Sequence, residues 1–298
     1  MTLPCDKARM GAMTCFMRAL GVILSVGLLP VQGMAQQARD LTQYYQRMEA
    51  QLISQGHLRQ ERRVPGLDAQ TLARNFMSIA MRTEYSPTGN GAASGYTPLR
   101  RWEDPVRLGV HFGPSVSATQ QRHDLAAVRG VSQRLQRATG HPIRMVNSGA
   151  NFHVLVLSEA ERANVRNTLL QIAPGLSRAA QSAVMRMRPD TLCLVMAIPH
   201  DNPEDGFRQA IAIVRAEHPS RMRQSCMEEE LAQGMGLTND SPEARPSIFN
   251  DDEEFGVLTR HDELLLRMLY HDALRCGMSP RDVVPRVEAL AHSVLSTG

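Results

Sequence analysis

The sequence predicts an α+β domain in which a mixed β-sheet is covered by packed helices. Three observations carry that expectation. Short apolar runs with strand character (PVRLGVHF, FHVLVL, TLCLVMAI and IAIVR) alternate with longer stretches whose apolar residues recur at helical spacing. Pro, Gly, Asn and Ser punctuate the connections between them. The chain has 298 residues and no internal repeat, enough to bury a full core as one large domain.

The elements follow in order. Residues 1–35 read as a signal peptide. Met17-Arg18 precedes an apolar run from Ala19 to Val31, and Gly33-Met34-Ala35 offers small residues for cleavage before Gln36. The run is too short and too early to span a bilayer. Met10, Met13 and Met17 are alternative starts that would shorten this long leader. No cysteine stands at the cleavage point to carry a lipid, so a soluble periplasmic or secreted protein is expected. Residues 36–66 are expected to form an N-terminal extension, helical in LTQYYQRMEAQLI and either packed on the domain or partly mobile. Residues 67–298 are expected to form a single domain.

Within that domain, Leu72, Phe76, Ile79 and Ala80 predict a helix over Asp68–Arg82. Residues 86–95 (SPTGNGAASG) predict a loop between extension and domain. Pro105–Phe112 is a strand with Val106, Leu108 and Val110 on one side. Leu125, Val128, Val131, Leu135 and Ala138 predict a helix over Asp124–Thr139, stopped by Gly140. Ile143–Val146 and Phe152–Leu157 are strands around an SGAN turn. Ser158 and Glu161 form a capping signature for a further helix. Leu192–Ile198 and Ile211–Arg215 are strands, and a helix is expected over Cys226–Gly236.

Charge and cysteine content narrow the function. Thirty-three basic residues face 30 acidic ones, for a net charge of +3, and the basic residues are scattered. Nucleic acid is therefore not an expected partner, and no stretch after the leader is apolar enough to span a membrane. Cys5 and Cys15 leave with the leader. Cys193, Cys226 and Cys276 remain, which predicts one disulfide and one free thiol in an oxidising compartment. Cys193–Cys226 is the expected pair and would staple a strand to the helix after it. Three buried free thiols are the alternative.

The segment CMEEELAQGMGLTN, from Cys226 to Asn239, is the densest cluster of candidate site residues. At 100° per residue, Met227, Leu231 and Met235 form a core face. Glu229, Glu230 and Gln233 gather on the other side, with Cys226 among them. Gly236-Leu237 breaks the helix, and Asn239-Asp240 returns past the same face. Three adjacent acids also read as an ordinary solvated run near a helix N-terminus. His111, His153 and His200 have no mutual spacing that suggests a metal cluster. His261 reads as a surface or cap-adjacent residue beside Asp262, which is expected to cap a helix. The acidic run Asp251–Glu254 is either a solvated loop or a rim for a basic partner or calcium.

Two resemblances rest on these residues. From about Asp68 to Val287 the chain resembles a family of proteobacterial exported proteins and lipoproteins described as domain of unknown function 2927. The likeness lies in C-x-E-E-E-L-A-Q-x-x-G-L-x-N-D, in Pro246–Asp251 (PSIFND), and in L-T-x-x-D-x-x-L-L-x-x-L-Y from Leu258 to Tyr270. It implies a fold and an export route, and no reaction. The C-terminal third also resembles the catalytic half of a matrixin-like metzincin. Glu229–Asn239 stands in the register of the zinc helix H-E-x-x-H-x-x-G-x-x-H, Pro246–Phe249 resembles the Met-turn, and Leu258–Tyr270 the closing helix. That resemblance implies a metzincin-like, or zincin-like, mixed sheet with a motif helix. Glu230 would then be the general base, while Glu229, Gln233 and Asn239 would replace the three histidine ligands.

A glutamate and two amides are poor zinc ligands beside imidazole or thiolate, so no metal and no cofactor is expected. The expected function is a non-catalytic binding or structural domain whose degenerate cleft holds Glu229, Glu230, Gln233, Asn239 and Asp240. Its partner would be a peptide, an envelope component or a protein. The alternative is a hydrolase or peptidase that uses Glu230 with an atypical oxygen-ligated metal.

Overall fold

The computed structural model describes residues 29–82 and 95–297. The expected signal peptide lies largely outside these residues, as does nearly all of the expected loop at 86–95. Five strands form one sheet: β1 (Val106–Phe112), β2 (Ile143–Met145), β3 (Phe152–Leu157), β4 (Cys193–Pro199) and β5 (Phe207–Arg215). Their order is β2-β1-β3-β5-β4. The first four of that order run parallel, and the edge strand β4 runs antiparallel to β5. The central strand β3 is buried along its whole length. Its continuous apolar run FHVLVL is what a parallel strand covered on both faces requires.

Helices α2 (Ala69–Ile79), α3 (Ala118–Thr139), α7 (Ser220–Gln233), α8 (Arg260–Leu269) and α9 (Pro280–Ser296) share one core with the sheet. Alternate residues Phe152, Val154 and Val156 of β3 and Ala210, Ala212 and Val214 of β5 enter that core. The residues between them, Leu155, Leu157, Ile211 and Ile213, meet a second, smaller core. It is built from the region of α4 (Glu159–Ala163), α5 (Arg166–Ile172) and α6 (Arg178–Met185). The α+β class and the mixed, helix-covered sheet are thus as the sequence predicts.

Local chemistry sets most boundaries. Asp68 caps α2 by accepting from Thr71 N at 2.8 Å. Gly140, at φ 68°, ends α3 in the left-handed conformation. Ser158 and Glu161 form the expected capping box of α4. Helix α3 starts at Ala118, before the expected Asp124, because Ser117 caps it ahead of a polar first turn that shows no apolar spacing. Helix α7 likewise starts at Ser220, six residues before Cys226. Helix α9 was not expected. Pro285 lies within it and interrupts its pattern, but Val283, Val287, Leu290, Ala291 and Val294 still bury one side in the main core.

The extension is tied to the domain. Helix α1 (Leu29–Ser54) places Tyr45 in a small core with Leu58 and Met222, and the Tyr45 hydroxyl donates to Pro189 O at 3.0 Å. Glu49 accepts from Met222 N at 2.9 Å, capping the first turn of α7 from a distant part of the chain. Beyond α1, Leu58 N and Arg59 N donate to Glu253 O and Glu254 O at 2.7 and 2.9 Å. The loop Asp251–Glu254 is therefore a docking strip for the extension, not a free solvated run. Its carboxylates also clamp Arg245 and Arg59.

Candidate functional site

Helix α7 lies between the sheet and the remaining helices, so it has no broad solvent face. Met227, Leu231 and Met235 are core residues as the helical spacing requires, but Glu228, Glu230 and Gln233 are buried as well. The three glutamates stand in the middle of the helix, which rules out a solvated run at its N-terminus. Burial on every side leaves such carboxylates with one option, which is to be bonded within the protein.

Each glutamate has a different role. Glu228 accepts both Arg62 Nη1 at 2.7 Å and Nη2 at 2.5 Å, and also Leu258 N at 2.8 Å. It anchors the extension and the approach to α8, a function that the sequence alone did not suggest. Glu229 is half-buried and Glu230 is 4% exposed. Glu229, Glu230 and Asp240 all interact with other groups of the protein.

The amides at the other cleft positions are also bonded. Gln233 Nε2 donates to Asp240 Oδ1 at 3.0 Å, joining the last turn of α7 to the returning chain. Asn239 Nδ2 donates to Ser78 O at 3.0 Å and to Asp240 O at 2.6 Å, and its backbone N–H reaches Ile79 O at 3.1 Å. The structure thus joins Gln233 with Asp240 and fastens Asn239 to the end of α2. As a metal-binding set, Glu229, Gln233 and Asn239 would offer one carboxylate and two neutral amides already engaged as donors. That set does not fit zinc. Among the described residues, no three His, Cys, Asp or Glu side chains converge as a metal-binding group.

The turn after α7 depends on close packing. A Cβ on Gly234 would lie 2.3 Å from Phe152 Cζ, and one on Gly236, at φ 124°, would lie 2.5 Å from Arg100 O. Glycine is required at both positions. Trp102 Nε1 donates to Gly234 O at 2.8 Å, and Tyr270 Oη donates to Met235 O at 2.9 Å. Trp102 also stacks on Phe152 with ring centroids 6.2 Å apart. Burial pushes the Tyr270 hydroxyl well above the usual tyrosine pKa, so it stays a donor. Sequence reasoning missed Trp102 and Phe152 here. Tyr270 was signalled only as the end of the L-Y pattern.

A second buried network joins the PSIF turn to α8. Asp262, fully buried, accepts Ser247 Oγ at 2.5 Å, Ile248 N at 3.3 Å, Thr259 N at 2.8 Å and Thr259 Oγ1 at 2.9 Å. It completes the capping box of α8 with Thr259, so the expected capping role holds. His261 is fully buried, not at the surface. Its Nε2 lies 3.0 Å from Asn75 Nδ2, and its Nδ1 lies 3.4 Å from Asp262 Oδ1. The residues that hold this region together are therefore Asn75, Ser247, Thr259, His261 and Asp262, with Gln233, Asn239 and Asp240 fastening the adjacent turn.

Cys193 of β4 and Cys226 of α7 form the expected disulfide, with their Cα atoms 5.7 Å apart. It staples the edge strand to the motif helix. His218 Nδ1 lies 3.7 Å from Cys226 Sγ, and burial with the nearby Arg215 and Arg223 charges lowers the His218 pKa to about 3. Cys276 is free and buried, and burial raises its thiol to about 12. It is not a nucleophile at neutral pH.

Fold and site together define an α+β domain organised around a buried acidic helix, a glycine turn and a disulfide-stapled edge strand. Residues 69–289 match the family described as protein of unknown function, DUF2927, and this chain belongs to that family. Comparison with curated proteins found no match, and comparison with solved structures found none. No helix of the described residues is long and apolar enough to cross a membrane.

Proposed function

We propose that this chain is an exported, non-catalytic binding domain with a degenerate zincin-like cleft. The cleft is bordered by Glu229, Glu230, Gln233, Asn239 and Asp240, and its partner is a peptide, an envelope component or a protein. The observation that carries this reading is how the amides are used. At the positions where a metzincin would place imidazole ligands, Gln233 and Asn239 instead donate to Asp240 and to Ser78 O. Hydrogen bonds between α7, the Gly236-Leu237 turn and α2 take the place of a metal in cross-linking them. The zincin-like reading is supported by a motif helix packed on a mixed sheet whose antiparallel strand lies at one edge. Among the described residues, that strand pairs only with β5, so its outer edge is suited to strand addition by an extended peptide. Export is supported by the apolar leader and by the disulfide, which needs an oxidising compartment.

The competing reading is a hydrolase with Glu230 as general base, favoured by the burial of that carboxylate in the register position of the metzincin base. Metal analysis of protein purified without a histidine tag separates the two. The binding-domain reading expects no stoichiometric ion that is lost on Gln233→Ala, and no peptide turnover by the wild-type chain that Glu230→Gln abolishes. An ion lost on Gln233→Ala, or a turnover lost on Glu230→Gln, would replace it with the hydrolase.

A further inference from the structure

Strands β1 and β3 lie side by side in parallel register with Gly109 opposite His153. Alternation along β1 places His111 on the same face as Gly109, so both histidines project from one side of the sheet. Phe152 packs toward α7, so its neighbour His153 points to the opposite face. There His111 Nε2 lies 3.1 Å from His153 Nδ1, with ring centroids 5.3 Å apart and planes 28° apart. The histidines whose sequence spacing gave no cluster are thus brought together by the fold, 42 residues apart in the chain.

Two features of the chain make this contact. Gly109 has no side chain, and a Cβ there would lie 3.4 Å from His111 Nε2 and 2.8 Å from Ala150 Cβ. The ring of His111 therefore lies back across Gly109 to reach His153. Strand β2 also ends at Met145 and pairs only with Val106–Leu108. Among the described residues, this leaves the outer edge of β1 beyond Leu108 without a strand and His111 exposed. The rings open on a cavity of 610 Å³ lined by Gly109, His111, Val146, Asn147, His153 and Gln171, among others.

We propose that His111 and His153 form a binding site for a late first-row transition-metal ion of the Cu²⁺ or Zn²⁺ class. Two imidazole nitrogens about 2.0–2.1 Å from one ion stand about 2.9 Å apart at a right angle and about 3.4 Å apart at the tetrahedral angle. The observed 3.1 Å falls between these values, so small ring rotations bring both nitrogens to one ion. Imidazole selects this class over calcium or magnesium, and no carboxylate is among the residues lining the cavity. The rings are also in the required charge state. Burial, with the nearby His111 ring, lowers the His153 pKa to about 4, and partial desolvation of the His111 ring, whose residue is otherwise exposed, lowers its pKa as well. Both are neutral at pH 7, and an ion would replace the hydrogen bond between the two facing nitrogens. The proton then sits on the far nitrogens, where His153 Nε2 meets Gln209 Nε2 at 3.5 Å and that amide has to turn away. The cavity opening leaves room for water or a small ligand to complete the coordination shell.

This site lies on the other side of the sheet from the Glu230 cleft and does not depend on the function proposed for that cleft. The test uses the mature chain without a histidine tag, stripped with chelator and titrated calorimetrically with Cu²⁺ and with Zn²⁺. One ion per chain is expected, bound more tightly as Cu²⁺ than as Zn²⁺, with nitrogen hyperfine structure in the copper electron paramagnetic resonance spectrum. His111→Ala, at an exposed position, is expected to weaken binding at least about tenfold while leaving the circular dichroism unchanged. His153→Gln should do the same, and His200→Ala should leave affinity unaltered. The absence of one-to-one binding, or binding that survives His111→Ala, would overturn the proposal. An ion lost on Gln233→Ala but kept in His111→Ala would overturn it as well, and would point to the cleft.

Discussion

Glu228 is the first of three consecutive glutamates, and replacing it with glutamine separates an anchoring carboxylate from the cleft carboxylates beside it. Its side chain is 2% exposed, and that of its partner Arg62 is 30% exposed. Removing one member of a buried ion pair costs about 3–5 kcal/mol. Partial exposure lets water compensate Arg62, so a loss of about 2–3 kcal/mol is expected for Glu228→Gln. The glutamine oxygen can still accept one bond, from Leu258 N or from the guanidinium, but its amide group then faces the other donor. For a chain of this size the loss corresponds to a fall in Tm of about 5–10 °C. Arg62→Met should cost a similar amount by leaving the buried Glu228 carboxylate with only the neutral donors Leu258 N and Gln224 Nε2. Urea denaturation of both single variants and the double variant gives the coupling, which should be at least about 1 kcal/mol. Additive losses, or a Glu228→Gln protein within about 0.5 kcal/mol of wild type, would refute the anchoring role.

Three other outcomes are expected. Asp262→Ala removes the acceptor for Ser247 Oγ, Ile248 N, Thr259 N and Thr259 Oγ1; it should cost more than about 4 kcal/mol and keep folded protein from accumulating, as judged by near-ultraviolet circular dichroism. Replacing both Cys193 and Cys226 with alanine opens a cross-link of sequence separation 33 and should cost about 3–4 kcal/mol in urea denaturation; an unchanged midpoint would show that the staple does not limit stability. Stability should also fall as pH drops from about 6.5 toward 4, because His153 (pKa about 4) and His218 (about 3) take up protons in the unfolded chain before the folded one. Each contributes up to about 1.4 kcal/mol per pH unit. Glu253, whose pKa burial and the Asp251 and Asp252 charges raise to about 7, and Asp124 and Glu217, whose carboxyl pKa values burial raises, pull the other way, so the effect is read as the shallower acid slope of His218→Gln relative to wild type.

Periodic segments are legible in the amino-acid sequence alone. The strands at Val106–Phe112 and Phe152–Leu157, the capped starts at Asp68 and Ser158, and the stop at Gly140 all follow from local pattern and capping chemistry. Helix α9 escaped because Pro285 breaks the pattern that a helix is recognised by, although tertiary packing against α2 and α8 tolerates it. The first six residues of α7, Ser220–Ser225, escaped because Met222 is their one apolar residue and a single apolar position gives no period.

The site divides in the same way. Sequence by itself determined the α+β class and the family-specific helix from Cys226 with its glycine turn, because each rests on residue type and short-range spacing. It favoured the Cys193–Cys226 pair over three free thiols, and the fold decided it by bringing β4 against α7. Only the tertiary structure decided what the polar groups do. Glu228 became an anchor because Arg62, 166 residues away, lies against it. His261 became a core residue because Asn75 reaches it from α2, 186 residues away. His111 and His153 became a pair because parallel strands place Gly109 opposite His153. Hydrogen bonds and ion pairs act over a few ångströms in space, whatever the separation along the chain. The partner of a buried polar side chain is therefore fixed by the fold and left open by the local sequence.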